Sequence, residues 1–438
     1  MAYAIGVLVL VVGILVSIAL HEVGHMVPAK RFGVRVSQYM VGFGPTLWSR
    51  TRGETEYGVK AIPLGGYVRL IGMYPTPDAV GNPPVRGFFS RMAADAREAS
   101  AEEIRPGEDH RAFYRLSTPK KLVVMLGGPV MNLLIAVVLL AVLFVGIGTQ
   151  TASTTLASVS QCVLPAGSTA TECSASDPEA PGAAAGLRPG DTVVEYDGAP
   201  VESWAQLSGM IRGTGEEAVP VVVERDGERV TLSVTPVVAE RPVTDDDGQP
   251  VLDDAGDPVT AEVGFLGVSP GTELQRQPAS EVVSVTADAV WQTGRAVVTL
   301  PANLVDVARS VTGGEERDAS GVLGPVGVAR LAGDVASSDA PGVGVVDRVS
   351  AMLGLLASLN IALFVFNLVP LVPLDGGHVA AALWEGLKRQ VARLRNLPRP
   401  RPADAARLQP LALGVFVLLG GMGLLLAYAD IVSPVSLG

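Results

Sequence analysis

The sequence has little histidine and little cysteine: four His and two Cys in 438 residues. Between Thr149 and Arg348 it has no lysine at all. That stretch holds 11 Arg against 30 acidic residues, a net charge of −19. So acidic a segment argues against a nucleic-acid partner. The first apolar run lacks a basic leading region, and no small-residue cleavage site follows it. By pattern it is not a cleavable signal peptide. The acidic stretch Asp245–Asp257 lacks the spacing of a calcium loop, since no Asp stands five residues before Gly248. It reads as a solvated loop or hairpin.

What the chain has in quantity is apolar residue. The hydrophobic share is 48%, and the mean hydropathy is positive. Both indicate a membrane protein. Four segments are long and apolar enough to span: Tyr3–Val27, Leu122–Gly148, Val349–Val369 and Leu408–Ile431. Fifteen Lys and Arg lie between the first two, and seven between the last two, including Lys388, Arg389, Arg393 and Arg395. Both basic stretches are expected on the cytoplasmic side and the acidic stretch outside. Cys162 and Cys173 both fall in the outward stretch. They are either joined as a disulfide, which that location permits, or two free thiols.

Two of the four histidines stand in His21-Glu22-Val23-Gly24-His25, at the end of the first apolar run. On a helix, HExxH puts two imidazoles on one face with a carboxylate beside them. That suits tetrahedral Zn²⁺ with a general base at hand. Ionisable groups in a span are costly and usually functional. The bland reading is a pair of buried, hydrogen-bonded histidines on an apolar helix. With so few histidines, this spacing arises by chance about once in several hundred sequences. The expectation is a zinc hydrolase with its site inside the bilayer.

A third ligand is sought at the end of the third span, Asn367-Leu368-Val369-Pro370-Leu371-Val372-Pro373-Leu374-Asp375-Gly376-Gly377-His378. Two prolines break the helix, and Gly-Gly releases the chain. Asp375 then sits on irregular backbone near the cytoplasmic interface. His21 lies roughly 27–30 Å along a helix that starts outside, at a similar depth. Asp375 can complete a His₂Asp site and leave a position for water. His378 is a weaker candidate ligand. Asn360 and Asn367, two helical turns apart, share a face. Their amides either hold an unwound substrate backbone or bond between helices.

After the first span, Gly42–Trp48 and Glu56–Leu70 alternate in polarity and read as strands joined near Arg50–Glu54. They form either a hairpin re-entering the membrane beside the site or a cytoplasmic hairpin. Gly65 and Gly66 before Tyr67 allow a close backbone approach, and substrate contact is expected there. Thr76–Arg105 reads as a mobile loop or short helix, and His110 as a surface residue. In the outward stretch, Thr192–Tyr196, Val219–Arg225 and Arg229–Thr235 read as strands, with turns at Asp197-Gly198 and Asp226-Gly227. Ser203–Arg212 reads as a helix, and Gly264–Val268 as a strand. Val282–Val311 and Val322–Ala332 read as helices.

HEVGH, the Gly-x-Gly hairpin with IPLGGYV, and NLVPLVPLDGG together resemble the site-2 protease family. The nearest branch is the bacterial one with four spans and an outward PDZ domain. GGPVMNLLIA at Gly127–Ala136 and GVLGPVGV at Gly321–Val328 are also similar. The resemblance covers most of the chain. It implies a polytopic α-helical protein of the bacterial cell membrane with four transmembrane helices, a membrane re-entrant β-hairpin and an extracytoplasmic α+β PDZ domain.

The division it implies is a first span at 1–30, a cytoplasmic segment at 31–121 with the hairpin at about 37–73, and a second span at 122–148. A PDZ domain at 149–240 and an acidic connecting region at 241–348 follow. A third span at 349–378, a basic loop at 379–407 and a fourth span at 408–431 complete the chain. Only one clear PDZ copy is found, where some members carry two. The resemblance implies one Zn²⁺ held by His21, His25 and Asp375, with Glu22 as base. The implied substrates are single-span proteins pre-trimmed by another protease, such as membrane-bound anti-sigma factors. A non-catalytic scaffold would have lost Glu22 or a ligand. A transporter would carry more charges inside its spans.

Overall fold

The computed structural model describes residues 1–164, 173–174, 177–243, 251, 259–313, 323–338, 343–398 and 400–432. The chain divides into two compact units. One is Met1–Ile147 with Pro278–Gly438, and the other is Gly148–Gln277.

In the first unit, four helices are long and apolar enough to cross a membrane: Ala2–Arg31, Thr118–Ile147, Val345–Asn367 and Ala405–Val432. They comprise α1 (Ala2–Arg31), α4 (Thr118–Ala141, continued by a π-helical stretch Val142–Ile147), α9 (Val345–Asn367) and most of α11 (Gln409–Val432). Large apolar side chains such as Leu8, Val12, Leu134, Val138 and Phe416 are exposed on them. Faces like these need a non-aqueous neighbour.

The first helix, α1, packs through one stripe of small residues spaced by seven, four and seven. Side chains at this spacing share a face. A Cβ on Gly6 would lie 2.4 Å from Ala332 O of α8 (Pro325–Ser337), and one on Gly13 2.6 Å from Leu356 of α9. Ser17 accepts from Asn360 Nδ2 at 3.0 Å. A Cβ on Gly24 would lie 2.2 Å from Gly127 O of α4. Small residues permit this approach, and dispersion between the backbones holds it.

Strands β1 (Val36–Arg52) and β2 (Thr55–Leu70) form one irregular antiparallel hairpin. It doubles on itself. Tyr39 and Met40 pair with Val68 and Tyr67 on one side and with Tyr57 and Gly58 on the other. The hairpin is tied to α1 by Tyr39, whose hydroxyl donates to Ala19 O at 2.8 Å.

The segment expected to be a mobile loop or short helix holds a four-residue helix, α2 (Pro77–Val80), and a fifteen-residue one, α3 (Phe88–Glu102). Its anchor is remote. Arg97 donates Nη2 and Nε to the Asp404 carboxylate at 2.7 and 3.0 Å, and both side chains are nearly buried. Ser100 bonds both ways to the Tyr74 backbone at 3.1 Å.

The helix that carries Asp375, α10 (Asp375–Leu394), runs alongside α4. Asp375 lies at the level of Gly128 and its histidine neighbours, and Gly386 abuts Thr118. These intervals are about 16 Å on α10 and about 15 Å on α4. Between the two helices, Glu385 is 1% exposed. It accepts from Lys121 Nζ at 2.9 and 3.1 Å, from Arg389 Nη2 at 2.5 Å and from Ala403 N at 2.9 Å.

In the second unit, β3 (Thr149–Val159), β4 (Thr192–Tyr196), β6 (Val219–Arg225), β7 (Glu228–Val234) and β10 (Val268–Gln275) form a sheet ordered β10-β3-β4-β6-β7. The short β5 (Ala199–Pro200) pairs with β4. Two short helices, α5 (Pro181–Ala184) and α6 (Trp204–Gly213), accompany it. A separate ribbon joins β8 (Val237–Pro242) and β9 (Thr260–Phe265). Asp226 and Gly227 both take positive φ, as a two-residue hairpin turn demands.

Leu156, Val193, Tyr196, Leu207, Val221 and Val234 form the core of this unit. The Arg225 guanidinium grips Asp191 at 2.7 Å through Nε and Nη2, and Arg188 N donates to it at 2.8 Å. Burial alone would raise the Asp191 pKa, but these partners outweigh it and hold the carboxyl below its ordinary value.

The single strand expected at Gly264–Val268 is instead a break between two strands, at Leu266-Gly267, where Gly267 takes φ +74. Cys162 and Cys173 are joined as a disulfide. Of the acidic stretch Asp245–Asp257, residues 245–250 and 252–257 lie outside the described residues, as do 321–322 of the similar stretch GVLGPVGV. The remaining helix is α7 (Ala279–Gly313).

Removing one partner of a buried ion pair leaves the other charge unpaired, typically at about 3–5 kcal/mol. Glu385→Gln leaves Lys121 in that state. It should lower the thermal midpoint of the detergent-solubilised chain well below that of wild type. An unchanged midpoint would mean that the cluster contributes no stability.

Candidate metal centre

Three side chains from distant parts of the chain meet at one point. His21 and His25 project from the last turns of α1, four residues apart and so on one face. Helix α9 ends at Asn367, ahead of both prolines, and Asp375 is not on the irregular backbone expected: it is the first residue of α10, with Gly376 and Gly377 in that helix's first turn. The two Nε2 atoms are 3.2 Å apart. Asp375 Oδ2 lies 3.4 Å from that of His21 and 3.3 Å from that of His25.

These three edges suit a tetrahedral ion. Bonds of about 2.0–2.1 Å to nitrogen and oxygen put neighbouring donors roughly 3.3–3.4 Å apart. Asp375 Oδ2 is buried and has no hydrogen-bond partner. An acceptor of that kind, facing two ring nitrogens, is the environment a cation satisfies.

The outer partners fix the tautomers. His25 Nδ1 lies 2.7 Å from Val124 O, so it carries the proton and donates it. Its Nε2 is then a lone pair turned to the centre. His21 Nδ1 lies 3.1 Å from the Asn132 side-chain amide, which is 1% exposed and whose oxygen lacks a partner. Turning that amide lets Oδ1 accept from Nδ1–H and leaves the His21 Nε2 lone pair for the centre. Val124 and Asn132 are both on α4, so this one helix orients both imidazoles.

Helix α4 must also come close. A Cβ on Gly128 would lie 2.2 Å from His25 Nε2 and 2.7 Å from His21 Nε2. Only glycine leaves the space where the three donors converge.

Glu22 stands beside the donors without joining their cluster. It lines a cavity of about 810 Å³ together with His21, His25, Asp375, Asn367 and Gly66. Gly66 permits the hairpin's approach, since a Cβ there would lie 3.3 Å from Glu22 Cγ and 3.0 Å from Met40 O. Gly65 takes φ +101, and a Cβ would strike the Phe43 ring at 2.7 Å. His378 lines the cavity but stands outside the three-donor cluster.

Of the two expectations for Asn360, a bond between helices is the one seen, not substrate contact. The residue is 1% exposed and does not line the cavity. Its amide nitrogen donates to Ser17 Oγ and to Leu356 O, so the side chain ties α9 to α1. Asn132 and Gly128 carry no expected role at the centre from sequence, although they lie in the quoted stretch GGPVMNLLIA. Asn132 is an amide in an apolar run, a feature that earlier drew attention only to Asn360 and Asn367.

Residues 9–397 match the model of peptidase family M50. The chain belongs to that family. The zinc metalloprotease Rip1 of Mycobacterium tuberculosis is 34% identical over 442 residues, covering all of both chains. Rip1 of Mycolicibacterium smegmatis is 31% identical over 453 residues, again covering both fully. The metalloprotease MmpA of Caulobacter vibrioides is 28% identical over 410 residues, 89% of each chain. Membership and the four apolar helices make this a multi-pass membrane protein.

Gly128→Ala should lose zinc without losing the fold. Its methyl group would sit among the donor nitrogens, and disturbing the surroundings of a metal site costs roughly 10–100-fold in affinity. Metal analysis and circular dichroism of the purified variant check this. Normal zinc content would mean that the ion sits elsewhere.

Proposed function

We propose that this M50 zinc metalloprotease cuts its substrates within the bilayer. The observation that carries the reading is the His21–His25–Asp375 triangle, with Glu22 beside it: both histidines stand on a helix apolar enough to span, and Asp375 opens the helix that follows another. His21, His25 and Asp375 would hold one zinc. When bound, zinc supplies a Lewis acid that polarises a carbonyl and lowers the pKa of a water molecule toward ~7.

Glu22 takes the proton from the attacking water and later gives it to the leaving amine. A substrate helix must unwind first, because its carbonyls are otherwise engaged in its own hydrogen bonds. Residues 66–70 of β2 line the cavity and pair with β1 on one side. An extended substrate segment added along this stretch would lie across Glu22. Gly65 and Gly66 keep that stretch close to α1, and Asn367 holds the substrate backbone from the opposite wall.

The hairpin is re-entrant in this account, and the site faces the cytoplasmic side. The second unit contains an extracytoplasmic PDZ domain that governs access. By family resemblance the substrates are single-span membrane proteins already trimmed outside, such as anti-sigma factors. A non-catalytic scaffold is disfavoured because Glu22 and all three donors are present in one cavity.

Co-expression with candidate single-span proteins tests the reading. Glu22→Gln should keep about one zinc per chain and accumulate a trimmed intermediate that wild type removes. If wild type and Glu22→Gln leave equal amounts of that intermediate, the candidate proteins are not cut by Glu22 chemistry.

A further inference from the structure

We propose that a cleft between α10 and the start of α11 binds one anionic phospholipid, with the phosphate at Lys388, Arg401 and Arg407. The cleft has a volume of about 720 Å³, within the ~300–1,000 Å³ of small-ligand sites. It shares no lining residue with the cavity at the metal centre.

The residues are ordered like a lipid. Pro370, Val372 and Ala381 offer an apolar floor, and Leu411 an apolar wall. Trp384 follows, 59% exposed. One helical turn further along α10 is Lys388, and Arg401 and Arg407 line the same cleft. Apolar surface, then an indole, then cations is the order met on leaving a bilayer through its headgroup layer.

The charge is complementary to a phosphate. Among the described residues lining the cleft, Asp404 is the one acid, and the buried Arg97 guanidinium already holds it in a bidentate pair. Arg407 also touches Asp404, at 3.0 Å, yet remains 66% exposed. Arg401 is held in position by its bond to Val80 O at 3.0 Å. Lys388 makes no ion pair among the described residues.

The flanking surface favours a bilayer as the source. Leu383, Trp384, Leu387, Val391 and Leu394 lie on one side of α10 and are exposed. The helix is joined to α9 at one end, and the chain returns to α11 at the other, both long enough to span. An exposed apolar helix side rimmed by cations, between two spans, suits an anionic leaflet. The inference rests on the chain spanning a membrane and is independent of what it cleaves.

Native mass spectrometry of the full-length chain, released from bilayers of equal phosphatidylglycerol and phosphatidylcholine, tests the proposal. Wild type should retain one phosphatidylglycerol in clear preference. Lys388→Gln with Arg407→Gln should weaken that preference by about fivefold for each cation removed, with zinc content unchanged. As a second measurement on the intact cleft, phosphatidylglycerol brominated on its acyl chains should quench wild-type fluorescence more than that of Trp384→Phe.

Equal retention of the two lipids would overturn the proposal, as would undiminished preference in the double variant or equal quenching with and without Trp384. Displacement of the lipid by millimolar inorganic phosphate would reassign the cleft to a soluble anion. An acidic peptide retained in place of lipid would reassign it to a protein partner.

Discussion

The contact between Gly24 of α1 and Gly127 of α4 is the constraint on which the metal centre depends. It brings two helix backbones within van der Waals reach at the turn that carries both histidines. Only at that separation can Val124 O accept from His25 and the Asn132 amide reach His21. Gly128, the next residue, leaves the volume in which the donors converge. One short run of α4 therefore supplies the close approach, the orientation and the space, and contributes no donor itself.

Asp375 reaches the same point by different physics. The chain between α9 and α10 is irregular, so the carboxylate depends on where α10 is fixed. Glu385 fixes it by joining Lys121 of α4, Arg389 of its own helix and the Ala403 backbone. A buried charge cluster specifies position because any shift leaves a charge without its partner. The Arg97–Asp404 pair extends the same logic to α3, which lines the cavity mouth through Ala96, Ala99 and Ser100. Remote charge pairs thus hold in place the parts of the site that the apolar spans do not carry.

How much of this was legible in the sequence follows from the range of each interaction. The four apolar helices, the hairpin and the strands around Asp197-Gly198 and Asp226-Gly227 declare themselves through local pattern. The HExxH spacing and the Pro-Pro break before Asp375 are also local and point to the donors, whereas Gly376 and Gly377 begin a helix rather than release the chain. The sequence leaves α3 between a mobile loop and a short helix, because Arg97 finds its partner 307 residues away, a relation no periodicity encodes. Asn360 could be read as bonding to substrate or to another helix, because a lone amide in a span needs a partner. Sequence could not say that Ser17 is that partner. Asn132 presents the same signal and takes the role nearer the metal, and only packing separates the two. The stripe Gly6, Gly13, Ser17 and Gly24 was readable as one helix face, yet which helix each residue meets is a tertiary fact.

The central claim is that two imidazoles and one carboxylate converge on a single zinc. X-ray absorption at the zinc edge of the purified full-length chain measures this directly. The account predicts four nitrogen and oxygen neighbours at about 2.0–2.1 Å, with outer-shell scattering that fits two imidazoles. A spectrum that requires three imidazoles would put His378 in the place given to Asp375, and one that requires fewer than two would contradict the centre described.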